Sequence, residues 1–161
     1  MNHGELAADE IRRALRGPAW HGSSIHELVA ALSAEEAIQR PIPTAHNIWE
    51  LVLHITSWSN IAHRRLTGGQ VEPYEDEDWP VPDEMTAQQW EADREAMAES
   101  HERLTEVVAG LSDEAMLAKA PKSSNSVAVM LHGVAQHDAY HGGQIALLRK
   151  IVTTKHRRTA I

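Results

Sequence analysis

Residues 46–66 read HNIWELVLHITSWSNIAHRRL, and this stretch decides the fold class. Ile48, Leu51, Val52, Ile55, Trp58, Ile61 and Ala62 recur mostly at steps of three and four, which is the repeat of one helical face. Gly68 and Gly69 lie just past Thr67 and end the helix. His54 falls in the middle of it, beside the apolar stripe. A histidine so placed is costly unless something satisfies its ring nitrogens.

The same pattern extends in both directions. Residues 5–16 read as a helix with Leu6, Ile11 and Leu15 toward one side, stopped by Gly17-Pro18. Ser23 or Ser24 caps a helix carrying Ile25, Leu28, Val29 and Leu32, and Glu27 completes a capping box with Ser24. Residues 33–39 add a further turn or two before Arg40-Pro41-Ile42-Pro43 breaks the helix. Residues 70–84 form a polar loop, because the acidic run Glu75, Asp76, Glu77, Asp78 and the prolines at 73, 80 and 82 resist regular structure. Thr86 caps a long helix running to about Gly110, with Trp90, Met97, Leu104, Val107, Val108 and Leu111 inside. Ser112 opens a short turn through Leu117. Ser124 or Asn125 caps a last helix that runs to about Val152, and the basic tail 155–158 is expected to fray. Helices of this length with short or polar connections and no convincing strand predict an all-α, four-helix bundle, a single domain over residues 1–161.

Composition narrows the function. The net charge of −8 repels phosphate backbones and anionic membrane surfaces, so neither nucleic acid nor a membrane is an expected partner. No run of eighteen apolar residues is present, and residues 1–16 carry charges where a signal peptide has its apolar core, so a cytoplasmic location is expected. The chain has no cysteine, which excludes disulfides, iron–sulfur clusters, thiolate zinc sites and cysteine nucleophiles. A metal site here must be built from His, Asp, Glu and water.

His137 and His141 stand four residues apart in the last helix, one above the other, where two imidazoles can reach one ion. With eleven histidines in 161 positions, chance gives roughly 0.7 such pairs, so the spacing alone is weak. Context strengthens it. Leu131, Val134, Ile145 and Leu148 put the pair near a core, Gly133 one turn earlier leaves room for a ligand, and His54 supplies a third imidazole from another helix.

Trp20-His21-Gly22, the stretch Ile48-Trp49-Glu50-Leu51-Val52-Leu53-His54-Ile55-Thr56-Ser57-Trp58, and the run from Gly133 to Ile145 through His137-Asp138-Ala139-Tyr140-His141-Gly142-Gly143-Gln144 resemble the DinB/YfiT-like metalloenzymes. The resemblance spans about residues 13–149, and His54 with His137-x-x-x-His141 carries its most specific part. It implies a four-helix bundle, usually a homodimer, with a divalent metal, often nickel or zinc, held by His54, His137, His141 and water. Relatives of this kind include thiol-S-transferases that use bacillithiol or mycothiol and a thiol-dependent isomerase. The resemblance therefore implies a metal-dependent enzyme acting on a small molecule, with a low-molecular-weight thiol as a candidate co-substrate. The alternatives are a metal-dependent hydrolase, a non-catalytic metal-binding bundle, and a helical interaction module.

Around the three histidines, Glu50 reads equally as an acceptor for the free N–H of His54 or as a solvated helix charge, and Gln144 could bond a ligand or a metal-bound water. His21 could approach the open side of the metal as an acid–base group, although a loop histidine bonded to backbone is the stronger reading. Trp58, one turn past His54, is the best candidate pocket wall. Asp138 reads as a surface charge or a helix-partner contact. His26, His46, His63 and His101 read as ordinary polar positions, His132 as surface or core edge, and the acidic run 75–78 as a solvated loop. Arg64-Arg65 reads as a solvated helix end.

Overall fold

The computed structural model describes the backbone of residues 1–159 and the side chains of residues 1–154. The last helix, expected to end near Val152 ahead of a frayed 155–158, continues to Thr159. Among the described residues there are seven helices and no strand: α1 (His3–Arg16), α2 (Ile25–Val29), α3 (Ala34–Ala37), α4 (Ile48–Leu66), α5 (Ala87–Ala109), α6 (Asp113–Leu117) and α7 (Val127–Thr159). No described helix is long and apolar enough to cross a membrane.

Side-chain caps fix most of the helix starts. Asn2, Ser24, Ser33 and Asn47 each accept from the backbone N–H three residues on, where a glutamate reaches back to the cap's own N–H. Thr86 and Ser112 cap α5 and α6 by the first half of the same device. At the start of α7 it is Ser126 that accepts from the backbone N–H of Val129, one residue beyond the expected pair Ser124 and Asn125. Residues 33–39 hold only the short, separately capped α3. Leu6, expected inside, is half exposed; Gly4, Ala7, Ala8, Ile11, Ala14 and Leu15 form the buried face of α1. Gly4 is where α1 comes closest to the end of α5. A Cβ there would lie 2.5 Å from the carbonyl oxygen of Val108, so only glycine fits.

Two apolar clusters fill the interior. The first joins Leu15, α2, α3, the opening turns of α4 and α5 (Ile48 to Ile55; Trp90, Met97) and the later part of α7 (Ile145, Leu148, Val152). The second joins Ala7, Ala8 and Ile11 of α1, the far ends of α4 and α5 (Ala62; Leu104, Val108) and the start of α7 (Val127, Leu131, Ala135). Fully burying one such Ile or Leu contributes about 1.5–3 kcal/mol. Between the clusters each of three long helices buries polar residues at the same level: His54, Ser57 and Ser59 of α4, Ser100 and His101 of α5, Asp138 and His141 of α7. The functional question lies in that polar layer.

The order of the clusters also gives helix direction. Both α4 and α5 run from the first cluster to the second, whereas α1 and α7 run from the second to the first. Consecutive helices α4 and α5 are thus parallel, and their connection must travel back along the molecule. It does so against α4. Arg65 donates to the carbonyl of Val71 (2.9 Å), Arg64 makes a two-pronged bond to Glu77 (2.6 and 2.8 Å), Ser57 donates to the carbonyl of Glu77, and His54 meets the carbonyl of Asp78. Trp79 then reaches His46, just before the start of α4. The acidic run is solvated at Glu75, Asp76 and Asp78, which are exposed, but held at Glu77. Arg64, expected at a solvated helix end, anchors it.

Candidate metal centre

His54, His137 and His141 come together where α4 faces α7, with one ligand atom from each lying within 4.8 Å of the others. His54 and His141 are buried; His137 is a quarter exposed. Nε2 of His137 stands 2.9 Å from Nε2 of His54. The ring centroids of His137 and His141 are 4.4 Å apart, as the i, i+4 spacing requires.

The reverse sides of the rings set their direction. His54 donates Nδ1–H to the carbonyl of Asp78, and His141 donates Nδ1–H to Oε1 of Gln144 at 2.7 Å. Both therefore keep an unprotonated Nε2 turned toward the shared space. Burial, with no carboxylate in hydrogen-bond contact, lowers the pKa of His54 to about 4 and lowers that of His141 as well. Neutral imidazoles with converging lone pairs repel one another unless a cation lies between them. Three imidazoles, contributed by two helices, could hold a divalent ion here.

A cavity of about 470 Å³ opens beside His141 and Gln144, walled by Trp79, Tyr140, Leu147 and His46. The Trp79 indole lies between two imidazoles, stacked on His54 (centroids 3.7 Å apart) and on His46 (3.6 Å). Trp58 borders the other side, its centroid 6.1 Å from that of His137, and donates to the Asp78 carboxylate at 2.8 Å.

A profile of the DinB superfamily matches residues 19–145. The chain belongs to the DinB superfamily. No curated protein and no solved structure matches it. The match covers α2 through most of α7 and includes all three histidines.

Several expectations around the site need correcting. Glu50 does not support His54. It closes the capping box with Asn47, accepts from Arg40, and lies 3.1 Å from Nδ1 of His46. The pattern Asn47-x-x-Glu50 signals this role in the sequence. His21 is exposed and lines a separate groove, with Ser23, Leu28 and Gly142, away from the three histidines. Beside Gly133 the space is open, since a Cβ there would meet nothing within 4 Å. Of the two readings of Asp138 the helix-partner contact holds, and His101, read as an ordinary polar position, is that partner: they are buried to 1% and 2% exposure and bonded to each other at 3.1 Å. Trp79 and the carbonyl of Asp78 were not anticipated, because nothing in the loop's composition shows where it runs. Gln144 lies against His141, so it orients that ring, whereas the expectation gave it a ligand or a metal-bound water.

Proposed function

We propose that this DinB-superfamily chain is a metal-dependent enzyme whose divalent ion, zinc or nickel, is held by His54, His137 and His141, and which acts on a small molecule in the adjoining cavity. The observation that carries the reading is the convergence of three imidazoles, two of them held from behind so that Nε2 faces inward. When bound, a divalent ion on neutral imidazoles keeps its full charge and makes a bound water or thiol more acidic.

The chain's own residues supply the surroundings. Trp79, Tyr140 and Leu147 line the cavity and give it apolar surface on which a small molecule can rest. His46 lines the same cavity, and its Nδ1 is held by Glu50, an arrangement that lets Nε2 take or give a proton. Because the chain has no cysteine, a thiol nucleophile must come from outside as a low-molecular-weight thiol. We favour thiol transfer, with hydrolysis as the alternative chemistry for the same centre. The four long helices support a single-domain four-helix bundle: α1 and α4 each pack on both α5 and α7. A homodimer is proposed with it.

A non-catalytic reading is favoured by one feature: the histidines bridge α4 and α7, so an ion there staples two helices. Elemental analysis of untagged protein, beside the His54/His137/His141→Ala triple variant, tests the site itself. About one divalent ion per chain, lost in the variant, is expected, and no metal in either after dialysis against zinc or nickel overturns the reading. Screening thiols with electrophiles then separates catalysis from stapling. A staple alone predicts no turnover and a melting temperature that falls on chelation.

A further inference from the structure

Two of the three converging histidines have an evident acceptor behind them; His137 does not. Its Nδ1 is buried and has no hydrogen-bond partner. The nearest carboxylate is that of Asp138, whose Oδ1 lies 3.9 Å away. The other oxygen, Oδ2, is occupied: it accepts from Nε2 of His101 on α5 at 3.1 Å. His101 in turn has Nδ1 at 2.9 Å from the carbonyl of Met97. Both nitrogens of His101 thus face acceptors, so the ring carries both protons and a positive charge beside the buried carboxylate. Burial alone would lower the pKa of His101, but the Asp138 charge and these bonds raise it on balance.

We propose that Asp138, anchored by His101, is the positioning residue for His137: its free oxygen Oδ1 takes the Nδ1 proton of that ring and turns Nε2 toward the metal. The inference rests on the metal reading above. An approach about 1 Å closer converts the present contact into a hydrogen bond of ordinary length. A side chain one residue from the ligand would otherwise be free to swing, and the bond from α5 prevents that. The His101 charge offsets that of Asp138, so the carboxylate can orient the imidazole without delivering a full negative charge to the centre. All three rings then share one design, an Nδ1 proton given to a fixed acceptor: a loop carbonyl, an amide and a carboxylate. The centre also gains a third helix, because α5 contributes through His101.

The test compares metal-stripped parent, Asp138→Ala and Asp138→Asn. Zinc affinity is measured by competition with a chromogenic chelator, and cobalt(II) absorption reports ligand geometry. Asp138→Ala should weaken zinc by about 10–100-fold and alter the cobalt spectrum. Asp138→Asn, whose amide oxygen can still accept, should recover part of the affinity. Parent affinity and an unchanged spectrum in Asp138→Ala, with its helicity intact, would overturn the proposal and leave the pair a structural contact only. Should Asp138→Ala fail to fold, nitrogen-15 NMR of the parent histidines decides. A slowly exchanging Nδ1 proton on His137 is expected, and an unprotonated or rapidly exchanging Nδ1 contradicts the assignment. If the parent itself binds no zinc, the metal reading fails separately. The NMR of the metal-free protein still reports whether His137 donates to Asp138.

Discussion

His54 and His101 are equally hidden, at 4% and 2% exposure, yet they are driven in opposite directions. His54 was given a carbonyl as its hydrogen-bond partner, with only the half-exposed Asp78 carboxylate farther off at 3.6 Å, and burial depresses its pKa to about 4. His101 was given a buried carboxylate, and its pKa rises against the same burial. Burial sets the size of the stakes; the partner's charge decides which form of the ring survives. One polar layer thus holds neutral imidazoles fit to ligate a metal and a charged imidazole fit to anchor a carboxylate.

The largest effect should come from removing the neutral side. His137→Ala or His54→Ala is expected to lower metal affinity by more than about 100-fold, beyond the range of supporting residues. Equilibrium dialysis followed by elemental analysis measures it, and parent-like binding would dissolve the distinction between the two kinds of histidine. Next comes the charged side. His101→Ala leaves the Asp138 charge buried without a partner and should destabilise the metal-free protein by about 3–5 kcal/mol. Urea unfolding measures the loss, and a value near zero would mean that the pair is not ionised.

The pH dependence of stability sharpens the comparison further. His54, with a folded pKa of about 4 against 6.5, binds fewer protons folded than unfolded. Its contribution is present above pH 6.5 and is lost as pH falls toward 4. His101, with a raised folded pKa, contributes stability that is full below 6.5 and lost as pH rises through its folded value. Stability curves of the metal-free protein should therefore flatten on the acid side in His54→Gln and on the neutral-to-alkaline side in His101→Gln. The smallest effect is expected from Gln144→Leu. Without an acceptor at Nδ1 the His141 ring is less firmly oriented, and metal affinity should fall by about 10-fold with the fold unchanged. Isothermal titration with zinc measures it.

Much of this was legible in the chain. The stripe through Ile48, Leu51, Val52 and Ile55 announces α4, and the Ser24–Glu27 capping box announces α2. Spacing pairs His137 with His141, and His54 stands out as a polar residue on an otherwise apolar stretch. The role of Glu50 was misjudged although its signal was present, since Asn47-x-x-Glu50 is the same pattern as Ser24-x-x-Glu27. Asp138 reads in the sequence as either a surface charge or a helix-partner contact, and the second holds. One residue from a ligand, it points off the ligand face, and only the fold shows that His101 of α5 reaches it across the interior.

The sequence by itself determined the long helices, several of their caps and the His137–His141 pair, because these depend on periodicity and on contacts a few residues apart. The tertiary structure alone decided which partner each histidine received. The loop returning along α4 brought the carbonyl of Asp78 to His54 and Trp79 to its ring, and α5 brought His101 to Asp138. Those pairings join residues 24 to 37 positions apart in the chain, and no local pattern encodes them. They are fixed only when the helices pack, and with them the charge on each ring.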